Sequence, residues 1–291
     1  MPNIDTILCP VDFSEFSEKA YDYAYSLARH YKAKLFILHV VEPLIPVYRG
    51  YLSPTFVDDV CARQDADAQE QMQNLEARQK SEKVESEALV QWGFVPDSII
   101  SFAEEHKVDL IVMGTHGRRG LDRLTMGSTT ERVLRKAPCA VLAVRQPMWD
   151  FVRPASLEDP VRLRKVLCCT DFSESSPRAL EYAFSLASQY QAEVTVLHVI
   201  EHGKDDPEAR EQATKCIEEV IPPEVRNWAT VVPYVRTGKP YQEINLHATQ
   251  TQSDLIVMGV RGRNALDIAL FGSTTSRVIQ LGPCPVLVVR N

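Results

Sequence analysis

DLIVMGTHGRRGLDRLTMGSTTERV, residues 109–133, and DLIVMGVRGRNALDIALFGSTTSRV, residues 254–278, are two versions of one stretch, and their shared pattern decides the fold. In each, an apolar strand-like run ends at a glycine, Gly114 or Gly259. Two residues separate it from a second glycine, Gly117 or Gly262. After nine more residues comes Gly127-Ser128-Thr129-Thr130 in the first version and Gly272-Ser273-Thr274-Thr275 in the second. The pattern predicts a strand, a glycine-rich turn and a helix start. Such a turn gathers backbone N–H groups and hydroxyls at one place, where an anion can sit.

Outward from this stretch the duplication continues. IDTILCPVDFSE (4–15) matches LRKVLCCTDFSE (163–174), and KLFILHVVE (34–42) matches EVTVLHVIE (193–201), both at an offset of 159. From Gly93 and Gly238 onward the offset is 145, so the first copy carries 14 extra residues between Val40 and Gly93. Between the copies, QPMWDFVRPASLEDP (146–160) has three prolines and no periodicity, and it reads as a linker. The expected division is a first domain over 1–146, a linker over 147–160 and a second domain over 161–291.

Each copy alternates strand and helix. Ala20, Ala24, Leu27, Ala28 and Tyr31, like Ala179, Ala183, Leu186, Ala187 and Tyr190, fall at helical spacing after the first strand. Ser17 and Ser176 are the expected N-caps, the latter followed by the first-turn proline Pro177. Strands apolar throughout, alternating with amphipathic helices, imply a parallel sheet covered on both faces. The expected fold is α/β: two tandem, doubly wound, five-stranded parallel-sheet domains of Rossmann-like type. The ligand crevice of such a domain lies at the carboxyl ends of the strands, where the winding reverses. The last strands, CAVLAVR (139–145) and CPVLVVR (284–290), would leave apolar sheet edges unless paired, so the two copies are expected to join through them as an intramolecular pseudo-dimer.

A net charge of −7 without a dense Lys/Arg tract argues against a nucleic-acid partner. No apolar run approaches the ~20 residues of a membrane span, and MPNIDTILCPVDFSE lacks the features of a signal peptide, so a cytoplasmic location is expected. Seven cysteines without a C-x-x-C pair read as small core residues rather than a disulfide or zinc framework.

Gly114-x2-Gly117-x9-Gly127-Ser128 and Gly259-x2-Gly262-x9-Gly272-Ser273 resemble the ATP-binding signature of the universal stress protein family, and VDFSE, LHVVE and PCAVLAVR fit its other blocks. The resemblance covers both halves, leaving out the linker and the 14-residue insertion. It implies the fold of the adenine-nucleotide α-hydrolase-like group, ATP as ligand with Mg²⁺ carried on its phosphates, and a regulatory role in a stress response. By position it places Asp12 and Asp171 near the nucleotide, and the backbone of Val40 and Val199 at the adenine. Gly114 with Gly117, and Gly259 with Gly262, fall at the ribose-side turn. Gly127, Ser128, Thr129 and Thr130, with Gly272, Ser273, Thr274 and Thr275, fall at the phosphate-binding helix start. Hydroxyls of Ser128 and Thr130 can donate to phosphate oxygens, and Arg118, Arg119 and Arg261 could add charge.

Plainer roles compete at each position. Ser128 and Glu131 could form a capping box, although the second copy has Ser276 in place of the glutamate. Asp12 and Asp171 could cap the following helix. His39 and His198 suit packed, hydrogen-bonded positions, and His116 is replaced by Arg261 in the second copy. No shared His, Glu or Lys is evidently placed as a base, so hydrolysis is expected to be slow at most. The alternative function is a nucleotide-independent interaction or chaperone-like scaffold, its partner surface on the 14-residue insertion running into the polar helix. Two competent sites per chain are expected, because both copies keep the full signature; further homodimerisation stays open.

Overall fold

A computed structural model describes residues 4–43, 54–77, 84–116, 126–154, 160–173, 175–201, 206–260 and 272–290. The first copy contains β1 (Thr6–Pro10), α1 (Glu15–Tyr31), β2 (Lys34–Val41), α2 (Pro54–Ala77), β3 (Ser86–Trp92), α3 (Val95–Glu105), β4 (Leu110–Gly114), α4 (Ser128–Lys136) and β5 (Ala140–Val144). The second repeats the plan: β6 (Lys165–Cys169), α5 (Ser176–Tyr190), β7 (Glu193–Ile200), α6 (Pro207–Val220), β8 (Val231–Thr237), α7 (Pro240–Thr251), β9 (Leu255–Gly259), α8 (Ser273–Leu281) and β10 (Val286–Val289).

Each copy orders its strands 3-2-1-4-5 in the numbering of that copy, and the two halves join into one ten-stranded sheet, β3-β2-β1-β4-β5-β10-β9-β6-β7-β8. Every pairing within a copy is parallel, and only the central β5–β10 seam is antiparallel. The expected pairing of the last strands is what the structure shows. Leu142 faces Leu287, flanked by Val141 opposite Val288 and Ala143 opposite Val286. Equivalent residues thus meet at the seam, and the pseudo-twofold axis passes through the leucine pair.

Side chains alternate across the sheet, so its two faces carry separate cores. Helices α1, α2, α5 and α6 cover one face, where Ile7, Cys9, Tyr23, Leu142, Cys168 and Leu287 are buried. On the other face α3, α4, α7 and α8 cover Leu8, Ile111, Val141, Cys169, Val286 and Val288. Cys168 and Cys169 therefore point to opposite faces, as strand neighbours must. All seven cysteines are free, and burial raises the Cys168 thiol to about 12.

Further contacts cross the pseudo-dyad. Tyr190 donates its hydroxyl to that of Tyr31 at 3.1 Å. Arg145, just past β5, donates to the Gln280 carbonyl in the last turn of α8. Its counterpart Arg290 donates to the carbonyls of Arg135 (3.2 Å) and Ala137 (3.4 Å) at the end of α4. A cation at a helix C-terminus satisfies orphan carbonyls and opposes the negative end of the dipole. Each copy thereby stabilises the end of its partner copy's glycine-led helix.

The described part of the segment between the copies, 146–154, is docked against both. Met148 N–H donates to Pro283 O (2.8 Å), and Trp149 Nε1 to Ser253 O (3.0 Å), both in the second copy. Asp150 turns to the first, accepting from Lys19 Nζ (2.6 Å) and from the buried Tyr23 hydroxyl (2.8 Å). Phe151 meets the Tyr23 ring edge-on at 5.0 Å. Phe151 and Val152 are buried and belong to the core, whereas Met148 is exposed.

Helix starts required correction. Ser17 is not the cap of α1: Ser14 is, its Oγ accepting from Ser17 N–H at 3.3 Å. The reason lies in Asp12, whose Oδ1 accepts both the N–H (3.1 Å) and the hydroxyl (2.6 Å) of Ser14 and so turns the chain three positions earlier. In the second copy Ser176 is already helical. Ser175 stands at the cap without a side-chain cap bond, and Pro177 lies in the first turn as expected.

One group at the far edge of the sheet ties stability to pH. His247 on α7 is 4% exposed, and burial, reinforced by the neighbouring Arg236 guanidinium, lowers its pKa to about 4. Arg236 Nε lies 3.4 Å from His247 Nδ1, while Arg236 Nη1 holds Glu243 at 3.0 Å and the Tyr234 ring packs 4.6 Å away. A folded-state pKa below the unfolded value means that the folded chain resists protonation. Stability is therefore full above pH ~6.5 and declines as the pH falls towards 4, by about 2–3 kcal/mol for this group. The first copy has Phe102 at the equivalent position. In His247→Phe, the difference in unfolding free energy between pH 7 and pH 4.5, from urea titrations, is expected to shrink by that amount.

Candidate functional site

The strand order reverses between β1 and β4, and beyond their carboxyl ends lies a crevice of about 930 Å³. Its size falls within the range of about 300–1,000 Å³ common for small-molecule sites. Asp12, Val40, Gly114, Gly127, Ser128, Thr129 and Thr130 all line it, so one cavity gathers seven of the eight positions singled out in the first copy. The eighth, Gly117, lies outside the described residues, as do Gly262, Arg118, Arg119 and Arg261.

Gly114 is the last residue of β4, and its lack of a side chain has a structural cause. A Cβ there would stand 2.9 Å from the backbone carbon and oxygen of Phe16, in the first turn of α1. Glycine thus lets the helix approach the strand end. Gly259 plays the same part under Ser175, whose Oγ would lie 2.4 Å from an added Cβ.

Gly127 is the N-cap of α4 and supplies no side-chain cap bond; its N–H donates to Thr115 O at 2.9 Å. The capping box does not form, because Ser128 is already in the first helical turn and Glu131 instead pairs with Arg135 at 2.6 Å. The amides of the first turn have no intrahelical acceptors, and the positive end of the dipole faces the crevice. Ser128 is exposed there. Thr130 is buried, and its hydroxyl donates to Gly114 O at 2.9 Å, joining the helix mouth to the strand end. Its proton is thus engaged within the protein.

On the opposite wall Asp12 has the role in the β1–α1 turn already described. Phe13 follows in the left-handed region at φ 59°, with its ring 4.5 Å from that of His39. His39 Nδ1 lies 2.7 Å from Val11 O, the packed and hydrogen-bonded role expected. His116 is buried with Nδ1 2.8 Å from Thr115 Oγ1. At the rim, Phe94 is 51% exposed, and the Arg132 guanidinium sits over its ring at 5.1 Å. The repeat aligns Arg132 with Arg277, but the aromatic partner differs: in the second copy Arg277 sits over Tyr241 at 4.7 Å.

The second copy repeats the frame. Asp171 Oδ1 accepts from Ser173 N–H and from Ser176 Oγ, both at 3.1 Å. Phe172 has φ 58° and packs 4.6 Å from His198, whose Nδ1 lies 2.9 Å from Thr170 O. Val199 lies near the end of β7, Gly259 ends β9, and Gly272 caps α8 without a side-chain cap bond. Ser273 and Thr274 open that helix, and Thr275 reaches Gly259 O at a looser 3.4 Å.

One crevice residue carried no mark in the repeat. Gln64, on α2, lines the same cavity, and its Oε1 is buried with no hydrogen-bond partner. Helix α2 buries Ala68, Met72 and Leu75, and Gln64 continues that stripe one turn towards the crevice. A glutamine on the apolar stripe of an amphipathic helix is the signal that could have found it.

A parallel α/β fold made twice in one chain, with a crevice at a strand-order reversal and a glycine-led helix mouth beside it, defines a tandem Rossmann-like protein. The chain belongs to the universal stress protein family, whose model it matches over residues 3–145 and 162–290. A universal stress protein of Mycolicibacterium smegmatis is 27% identical over 301 residues, covering 98% of this chain and 96% of that one. One from Methanocaldococcus jannaschii is 32% identical over 143 residues, covering 48% of this chain and 82% of its own length. Among solved structures, a universal stress protein from Archaeoglobus fulgidus superposes over 100% of this chain and 97% of its own with a TM-score of 0.70 at 23% identity, a likeness of fold. Among the described residues, no helix is long and apolar enough to cross a membrane.

Proposed function

We propose that the chain is an adenine-nucleotide-binding regulatory module, taking ATP with Mg²⁺ on its phosphates and changing its conformation or partners with occupancy. The observation that carries this reading is the single crevice that brings Asp12 and Val40 together with Gly114 and the uncapped mouth of α4. The residues present suit such a ligand. Amides and the Ser128 hydroxyl favour phosphate oxygens at the mouth, and the open space beside Val40 suits a flat base. Mg²⁺ commonly keeps most of its waters and reaches a protein through substrate phosphates, so a dedicated cage of carboxylates is not required. Two such sites per chain follow from the repeated frame.

Ser128→Asp combined with Ser273→Asp separates ligand binding from helix stability. An acidic residue in the first turn favours the helix dipole, whereas it repels a phosphate at the same place. Calorimetric titration of the wild-type chain with MgATP is expected to show saturable binding, weakened roughly tenfold or more in the double variant. Thermal stability should stay level or rise. Wild-type protein that takes up no nucleotide, or a double variant that binds as tightly, would overturn the proposal and favour the scaffold alternative.

A further inference from the structure

The two copies use one surface differently. In the first, Lys19 and Tyr23 stand together on α1, with the ammonium 5.8 Å from the ring centre, and Asp150 and Phe151 of the segment between the copies dock there. The Asp150 carboxylate accepts from Lys19 Nζ and from the Tyr23 hydroxyl, and the Phe151 ring closes edge-on against Tyr23, which is left inaccessible. At the offset of 159, the second copy has Arg178 and Tyr182 in these places on α5, with the guanidinium 5.4 Å from the ring centre. Tyr182 and Leu186 stay partly exposed, whereas their counterparts Tyr23 and Leu27 are buried.

Tyr182, Leu186 and Tyr190 of the second copy and Ile4, Asp109 and Leu110 of the first border one apolar cavity beside the seam. At about 40 Å³ it takes a water-sized body and not a free small-molecule ligand, whose sites commonly measure about 300–1,000 Å³. A segment of chain lying across it is the fitting occupant. The Asp109 carboxylate is no obstacle to an acid in that segment, because it accepts from the N–H groups of Asp5 and Thr6, both at 2.9 Å. Its counterpart Asp254 is held in the same way by the N–H groups of Arg164 and Lys165, and the first copy takes Asp150 all the same. Arg178 pairs with Glu181 at 3.0 Å, an exposed contact one helical turn along that contributes little and is readily exchanged. We propose that Arg178 and Tyr182 form a docking site for an extended segment of a partner protein in which an acidic residue precedes an aromatic one. The acid bridges guanidinium and phenol as Asp150 bridges Lys19 and Tyr23, and the ring covers the apolar groove at Leu186.

A fluorescein-labelled peptide with the sequence of residues 146–154 is the probe, titrated against the full chain by fluorescence anisotropy. The chain's own linker holds the first receptor, so saturable binding of one peptide per chain is expected at the second. Arg178→Glu should weaken it roughly tenfold or more, and Asp150→Asn in the peptide roughly threefold or more. Arg178 lies in the first turn of α5, where an acidic residue suits the helix dipole, so the variant should melt no lower than wild type. A peptide carrying Asp150→Lys should bind the Arg178→Glu chain better than it binds wild type, a reversal that a merely structural role for Arg178 would not give. Absence of saturable binding, or an affinity unchanged in Arg178→Glu, would overturn the proposal. Binding lost in Lys19→Glu instead of Arg178→Glu would mean that the peptide displaces the linker, and would overturn it too.

Discussion

Leu142→Ala and Leu287→Ala are each expected to lower stability by about 3–5 kcal/mol, and together by measurably less than twice that. The two side chains are directly opposed in the β5–β10 seam, and both are nearly inaccessible, at 3% and 6% exposure. Truncating either leaves a cavity at the seam of the sheet that cannot close in, because the flanking pairs Val141–Val288 and Ala143–Val286 hold the register. Once one leucine is gone, the other has already lost its main contact, so the second truncation costs less. The pair is also where the copies join, and its loss should uncouple them. Urea unfolding followed by tryptophan fluorescence and by circular dichroism should change from coincident to separate transitions in the double variant. A double-variant loss equal to the sum of the singles, with coincident transitions retained, would show that the leucines do not act as one contact.

Substitution at the two strand-ending glycines should separate positions that look alike in sequence. Gly114→Ala is expected to cost about 2–3 kcal/mol, because the new methyl group meets the Phe16 backbone at 2.9 Å and α1 must move off the sheet. Gly259→Ala meets the Ser175 side chain first, with Oγ at 2.4 Å and Cβ at 2.9 Å. Ser175→Gly should therefore restore much of the stability lost in Gly259→Ala, leaving only the Ser175 carbonyl in tight contact, at 3.2 Å. No side-chain deletion is available to rescue Gly114→Ala. Paired melting temperatures of these three variants decide the matter, and equal rescue at both sites would contradict the packing described.

Sequence spacing places both glycines in a ligand turn, and the structure gives them a second reason to exist. Sequence spacing exposes which positions lack a side chain but not what stands opposite them. Phe16 and Ser175 approach their glycines only because parallel β1–β4 and β6–β9 pairings bring distant segments together. The same limit applies to Asp12 and Asp171. A carboxylate at a strand end could serve a ligand or a turn, and the coordinates show the turn contacts to Ser14 and to Ser173 with Ser176. The serine caps were misplaced for a related reason. Several serines follow each aspartate, and which of them precedes the helix depends on where the aspartate bends the chain.

What the sequence determined alone was everything set by near neighbours and by repetition: alternating strands and helices, their apolar faces, the doubling of the chain, and the glycine-led helix starts at Gly127 and Gly272. Residue type and period settle those features within a few turns of chain. Only the tertiary structure decided which of them share a crevice, how the linker docks through Asp150 and Phe151, how Arg145 and Arg290 exchange helix ends, and that Gln64 brings an unsatisfied oxygen to the site. These depend on contacts between residues far apart in the chain, where the outcome is set by whole-sheet register and by which buried polar atoms find partners, and no local pattern encodes either.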